Sequence, residues 1–152
     1  MHLGFYPQYG IDVYFINKAL KDNKEILEIE SAEEQIEILY SLSEKEQDLF
    51  LLYTLIDLDN FEKELKQITE AWKNADAGKL VSILNSNLIR YPQFKPLYEK
   101  LIYERNRKIL NKIEELLKRS KTYFVIVGVG HLIGKSGVIK ELKEKGYKIN
   151  QL

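Results

Sequence analysis

The sequence predicts an α/β protein of helix-rich α+β appearance: a small, mostly parallel sheet covered by several helices and closed by a C-terminal strand-helix-strand unit. Three observations carry that prediction. Tyr123-Phe124-Val125-Ile126-Val127 is a continuous apolar run bounded by turn residues, the pattern of a strand buried on both faces. A glycine-rich turn, a short helical pattern and the closing Tyr147-Lys148-Ile149 follow it, which together call for a right-handed crossover and a parallel pair. Before that run, apolar residues recur at threes and fours over most of the chain, the period of amphipathic helices.

The elements follow in order. Gly10 leads into Ile11, Tyr14, Phe15, Lys18 and Ala19, a stripe on one helical face that should end near Asp22 and Asn23. Glu25 to Glu30 partly alternates, is β-branched and is too short for a helix of its own, so it reads as a strand. Ser31 with Glu34 forms a capping box for a helix carrying Ile36, Leu39 and Leu42. Ser43 with Glu46 repeats the device for one carrying Leu49, Phe50, Leu52, Tyr53 and Ile56. Asp59 or Asn60 is placed to cap a fourth helix through Phe61, Leu65, Ile68 and Trp72, and Asp76 a short fifth with Leu80, Val81 and Leu84. After polar Asn85, Ser86 and Asn87 and the prolines Pro92 and Pro96, one long helix should run from Leu97 to about Leu117, with Arg105 on its apolar side. Ser136 or Lys135 opens the last helix, through Ile139 and Leu142, and Gly146 closes it in the left-handed region.

Composition bounds what such a fold can do. The 152 residues, 45% hydrophobic, suffice for one globular domain spanning 1–152; there is no repeat, linker or low-complexity stretch. Charges are balanced, 23 basic against 23 acidic, and interspersed, so nothing steers the chain toward nucleic acid. The absence of cysteine removes disulfides, thiolate metal sites and Cys nucleophiles, and leaves His2 and His131 as the only imidazoles. No apolar stretch is long enough to span a membrane and the N-terminus lacks a signal-peptide pattern, so the expected location is cytoplasmic.

The most informative segment is Gly128-Val129-Gly130-His131-Leu132-Ile133-Gly134-Lys135-Ser136-Gly137, directly after the apolar run. Gly128, Gly130 and Gly134 let a backbone approach a ligand closely, and His131 would stand at the carboxyl end of the strand, where open sheets bind ligands. A tight strand-to-helix turn explains the same glycines equally well. Gly134-Lys135-Ser136 is not the end of a phosphate-binding loop, because Val129 occupies the position of the required first glycine. Nor is this a dinucleotide fingerprint, since Ile133 stands where the third glycine belongs. Glu30 could serve as a general base or metal ligand, or be a solvated carboxylate. The phase of Arg105 with Leu101, Ile102 and Ile109 suggests burial, and a buried guanidinium needs a carboxylate or a ligand; Glu30 is one candidate.

Taken together these segments resemble the TraB/GumN family, which includes pheromone-shutdown proteins and the Tiki metalloproteases. Gly10-Ile11-Asp12 looks like its "GvD" segment, Leu27-Glu28-Ile29-Glu30-Ser31-Ala32-Glu33-Glu34-Gln35 like its "gLEt.eeQ" block, and Glu104-Arg105-Asn106 like its "ERN" motif. Val127 to Gly134, with Gly137 and Gly146-Tyr147, matches its closing "vGagHl.G..G...lL...Gy.v". The resemblance covers nearly the whole chain.

It implies a divalent-metal-dependent peptidase using two Gly-x-x-His motifs and a glutamate, with Mn²⁺ or Co²⁺ as the metal. Carried over, His131 and Glu30 would be metal ligands; Glu30, Arg105 and Asn106 would be the catalytic polar groups, with Arg105 orienting a carboxylate or carbonyl and Asn106 giving amide hydrogen bonds. Gly128, Gly130 and Gly134 would form the ligand-binding loop. The first Gly-x-x-His motif is absent, since only Met1 precedes His2, so the chain corresponds to the family's C-terminal half. One His and one carboxylate fall short of about three protein ligands. The missing half is then supplied by another chain or by self-association, or the polypeptide is a fragment, or the chemistry is lost and the protein is a non-catalytic module that sequesters a peptide or small molecule. A structural remnant dimerising through an open sheet edge is a further alternative.

Overall fold

Two serines set the first half of the structure. Ser31 Oγ accepts from the Glu34 amide at 3.1 Å while the Glu34 carboxylate accepts from the Ser31 amide at 2.9 Å, and Ser43 and Glu46 make the same reciprocal pair. Each box satisfies two amides that a helix start leaves unpaired. The computed structural model describes residues 4–151, and His2 lies outside them. Among the described residues the helices are α1 (Ile11–Lys21), α2 (Ala32–Tyr40), α3 (Glu44–Lys73), α4 (Ala77–Arg90), α5 (Lys95–Tyr98), α6 (Glu104–Leu117), α7 (Val129–Leu132) and α8 (Val138–Glu144). None is long and apolar enough to cross a membrane.

The fold class differs from the sequence-based expectation. The chain is 70% helical and, among the described residues, has no strand or sheet: it is all-α, not α/β with a parallel sheet. Residues 25–30, 123–127 and 147–149, read as strands, form neither strand nor helix, with a bend at 29–30, and no ladder of backbone hydrogen bonds joins them. Their β-branched and aromatic residues do seek burial, and they find it on helices. Ile29, Val127, Tyr147 and Ile149 pack on the buried cluster of Ile109, Leu110, Val138 and Leu142. An apolar run reports burial, not the hydrogen-bonded neighbour a strand also requires. Phe124 is 71% exposed, so even burial on both faces fails, and its ring lies against Phe15 of α1 at 4.5 Å between centroids.

Smaller departures have local causes. No helix begins at Asp59 or Asn60: α3 runs through them, and the Asn60 amide bonds back to the Ile56 carbonyl inside the helix. Asp76 does cap α4, accepting from the Lys79 amide at 2.8 Å, and α4 continues through Asn85 to Asn87 to end at Arg90. The predicted helix from Leu97 to Leu117 is present as α5, a π turn (Glu99–Tyr103) and α6. That π turn rotates the residues after it relative to a uniform α-phase. Gly146, at φ +92°, closes α8 as expected, with the Tyr147 amide bonded to the Leu142 carbonyl.

Three buried clusters hold these helices. One joins α6 and α8; a second packs Leu42, Phe94 and Leu97 with α3; a third joins Ala71 of α3 to Leu80 and Ile83 of α4, with Val129 and Ile133 against them. In contrast, α1 and α2 bury no residue, and Tyr9, Tyr14, Leu20 and Tyr40 are widely exposed.

The second capping box also predicts an acid response. Lys100 binds the Glu46 carboxylate at 2.9 Å, and this bond, followed by those from the Ser43 amide and hydroxyl, lowers the Glu46 pKa to about 2. A carboxylate whose folded pKa is depressed stabilises the fold above its unfolded value, roughly 4.3, and that contribution fades as pH falls through the folded value. Thermal melts should therefore show wild type losing more stability than Glu46→Gln between pH 4.3 and 2; parallel losses would contradict this.

Candidate functional site

The polar residues singled out in the sequence form two pairs at the start of α6. The π turn delivers Arg105 and Asn106 on adjacent faces. Arg105 Nε and Nη2 donate to the Glu30 carboxylate at 3.0–3.1 and 2.7 Å, a planar fork on the carboxylate, with 6% of the Glu30 side chain and 22% of the Arg105 side chain exposed. The partner required for a largely buried guanidinium is therefore Glu30, held at the bend that precedes α2. Oε1 receives only the Nε contact and keeps acceptor capacity.

Asn106, not Arg105, is the polar residue that α6 buries, at 4% exposure. Its Nδ2 donates to the Ser136 carbonyl at 2.6 Å and its Oδ1 lies 2.7 Å from His131 Nδ1. Because the amide nitrogen is engaged by Ser136, the oxygen faces the imidazole and Nδ1 must carry the proton that it accepts. Nε2 of the neutral ring then bears a lone pair. Burial pushes the His131 pKa below its ordinary value, the Arg105 charge adds to that shift, and Glu30 opposes it. The neutral form is thus the one this setting favours.

The glycines shape the loop around this pair. Gly128 precedes α7 and its carbonyl accepts from the His131 amide at 2.9 Å. Gly134, at φ +92°, turns the chain after α7. A Cβ on Gly137 would overlap the Ile133 carbonyl, so only glycine lets the loop close before α8. Gly130 and Gly134 also border a cavity of about 560 Å³, whose wall includes Val81, Leu84, Ile102 and Asn106. Gly128 does not line it.

Sequence reasoning missed two contributors. The Ser136 carbonyl fixes the Asn106 amide, a backbone role without a side-chain signature. The hydroxyls of Tyr53 and Tyr98 lie 2.8 Å apart and Tyr98 reaches the Leu84 carbonyl at 3.1 Å, a contact between α3, α4 and α5 that helical spacing only hints at. For a divalent metal the residues are insufficient. Among those described, no three His, Cys, Asp or Glu side chains come together in a group that could hold an ion, and Glu30 is already bound by Arg105.

Comparison with known proteins bears out the family. Residues 1–151 match the TraB/PrgY/gumN family. The chain is 24% identical over 162 residues to the zebrafish (Danio rerio) protein named Metalloprotease TIKI1, covering 91% of this chain and 33% of that protein. It is 31% identical over 144 residues to the Escherichia coli K12 protein named Uncharacterized protein YbaP, covering 93% of this chain and 50% of that one. A Metalloprotease TIKI homolog of the sponge Amphimedon queenslandica is 40% identical over 58 residues, 37% of this chain and 11% of the relative. The chain thus spans half or less of the length of these relatives, and no solved structure matches it. With its family model matched over residues 1–151, the chain belongs to the TraB/PrgY/gumN family.

Proposed function

We propose that this chain forms one half of a peptidase-like hydrolase site, corresponding to the C-terminal half of the family's domain, which the other half completes, whether carried by the same polypeptide, a second chain or a second copy. The observation that carries this reading is the Asn106–His131 hydrogen bond. It holds a neutral imidazole in one tautomer with Nε2 available, the arrangement used when a histidine acts as a base or a metal donor. Relatives named as metalloproteases support a metal, which we take to be the divalent Mn²⁺ or Co²⁺ that the family resemblance implies. His131 would give one donor and Glu30 Oε1 a second, with the remainder coming from the completing half. The exposed apolar side chains of α1 support a surface that such a half would cover.

In this reading Arg105 fixes the Glu30 carboxylate, Asn106 fixes His131, and neither needs to move during turnover. The apolar cavity beside the pair, together with the shortage of donors, favours one other reading, a non-catalytic protein that sequesters a peptide or small molecule.

Complexed with its completing half, the protein should cleave members of a mixed peptide library in the presence of Mn²⁺ or Co²⁺, read by mass spectrometry. His131→Ala should lower both cleavage and metal affinity at least tenfold. Equal metal affinity in wild type and variant would exclude this histidine as a donor, and peptide binding without turnover at any metal concentration would favour sequestration.

The ion pair gives a second expectation. Arg105→Leu leaves a buried carboxylate unpaired and should cost about 3 kcal/mol in denaturant unfolding. Glu30→Leu with Arg105→Leu should restore most of that while cleavage stays lost. Additive destabilisation in the double variant would contradict a coupled pair.

A further inference from the structure

The cavity beside Asn106 is lined by apolar side chains that stand outside the buried clusters. Val81, Leu84, Ile89 and Ile102 line it and belong to none of the three buried clusters. The volume, about 560 Å³, lies within the range of sites that enclose small ligands. Its uncharged polar side chains are Tyr53, Asn85, Tyr98, Tyr103, Asn106 and Ser136; the Asn106 amide is held by the Ser136 carbonyl and His131, and the Tyr53 and Tyr98 hydroxyls by each other. Lys135 is the single charged residue of the lining, it is exposed, and among the described residues its ammonium has neither a hydrogen bond nor an ion pair. An apolar chamber with one unpaired cation at its border matches an occupant with an apolar body and a single negative charge at one end.

We infer that this cavity is a specificity pocket for the C-terminal end of a peptide: an apolar terminal side chain enters between α4 and the π turn, and its free carboxylate pairs with Lys135. Because Asn106 belongs both to the pocket wall and to the His131 pair, a peptide held this way would lie with its last residues beside the imidazole. The inference rests on the hydrolase reading for its purpose, and its binding step stands independently of turnover. Gly130 explains how the pocket stays open. A Cβ there would meet Leu84 Cδ1 at 3.9 Å, an ordinary contact, so the position tolerates a side chain sterically and a large one would fill the chamber.

Calorimetry in EDTA, with no divalent metal present, separates the two readings. The probes are Ala-Ala-Ala-Leu-Phe as free acid, the same peptide as C-terminal amide, penta-alanine free acid, and dodecanoate. The free acid of the apolar peptide should bind at least tenfold more tightly than its amide and than penta-alanine. Lys135→Gln should erase the preference for the free acid and keep the preference for the apolar terminus. Gly130→Leu should weaken both, with circular dichroism checking its fold. Equal affinity for the three peptides, or an undiminished acid preference in Lys135→Gln, would overturn the inference. Dodecanoate binding as tightly as the apolar peptide would reassign the pocket to a lipid carboxylate and overturn it too. Selective binding in a protein that never cleaves would uphold the pocket and remove the hydrolase reading.

Discussion

Everything that could act chemically in this chain depends on one buried amide. Asn106 is the buried polar residue among otherwise apolar ones, and its two ends are spent on two different segments, the Ser136 carbonyl and the His131 ring. A buried amide left unpaired costs about 1–3 kcal/mol, so the loop from Gly128 to Gly137 can dock on α6 only in a conformation that satisfies both ends. The loop's glycines meet that demand at two points. Gly134 supplies a left-handed backbone, and Gly137 supplies the room to pass the Ile133 carbonyl. No buried side-chain nitrogen or oxygen among the described residues lacks a partner.

The second pair works on the first through its field. Arg105 and Glu30 nearly cancel at long range, but Arg105 lowers the His131 pKa more than Glu30 raises it, in the same direction as burial. A neutral imidazole, a fixed tautomer and a carboxylate clamped within a guanidinium fork form a pre-organised arrangement on the rigid start of one helix. The π turn that precedes it makes this possible. A helix of uniform pitch could not bring Arg105 to Glu30 and Asn106 to His131 while keeping Leu101 in the α3 cluster and Ile109 in the α8 cluster.

Much of this was legible in the sequence because it is local. The capping boxes at Ser31 and Ser43, the Asp76 cap and the Gly146 terminus are short-range hydrogen-bond rules and appear where expected. A buried guanidinium needs a carboxylate or a ligand, which made Glu30 one candidate partner for Arg105, and the two do pair. What was not legible is pairing at a distance. The runs 123–127 and 147–149 carry the composition of strands, yet composition does not supply a neighbour, and Val127, Tyr147 and Ile149 pack instead against α6 and α8. Similarly, the apolar phase singled out Arg105 for burial, and the π turn gave the deeper place to Asn106.

The tautomer of His131 tests this account most directly. Long-range proton–nitrogen NMR on uniformly labelled protein reads which ring nitrogen carries the proton. The account predicts a neutral ring at pH 7 protonated at Nδ1, protonating only below the ordinary histidine value of roughly 6.5, and a shift toward the Nε2-protonated form in Asn106→Leu. A ring in wild type protonated at Nε2, or a tautomer unchanged by Asn106→Leu, would contradict it.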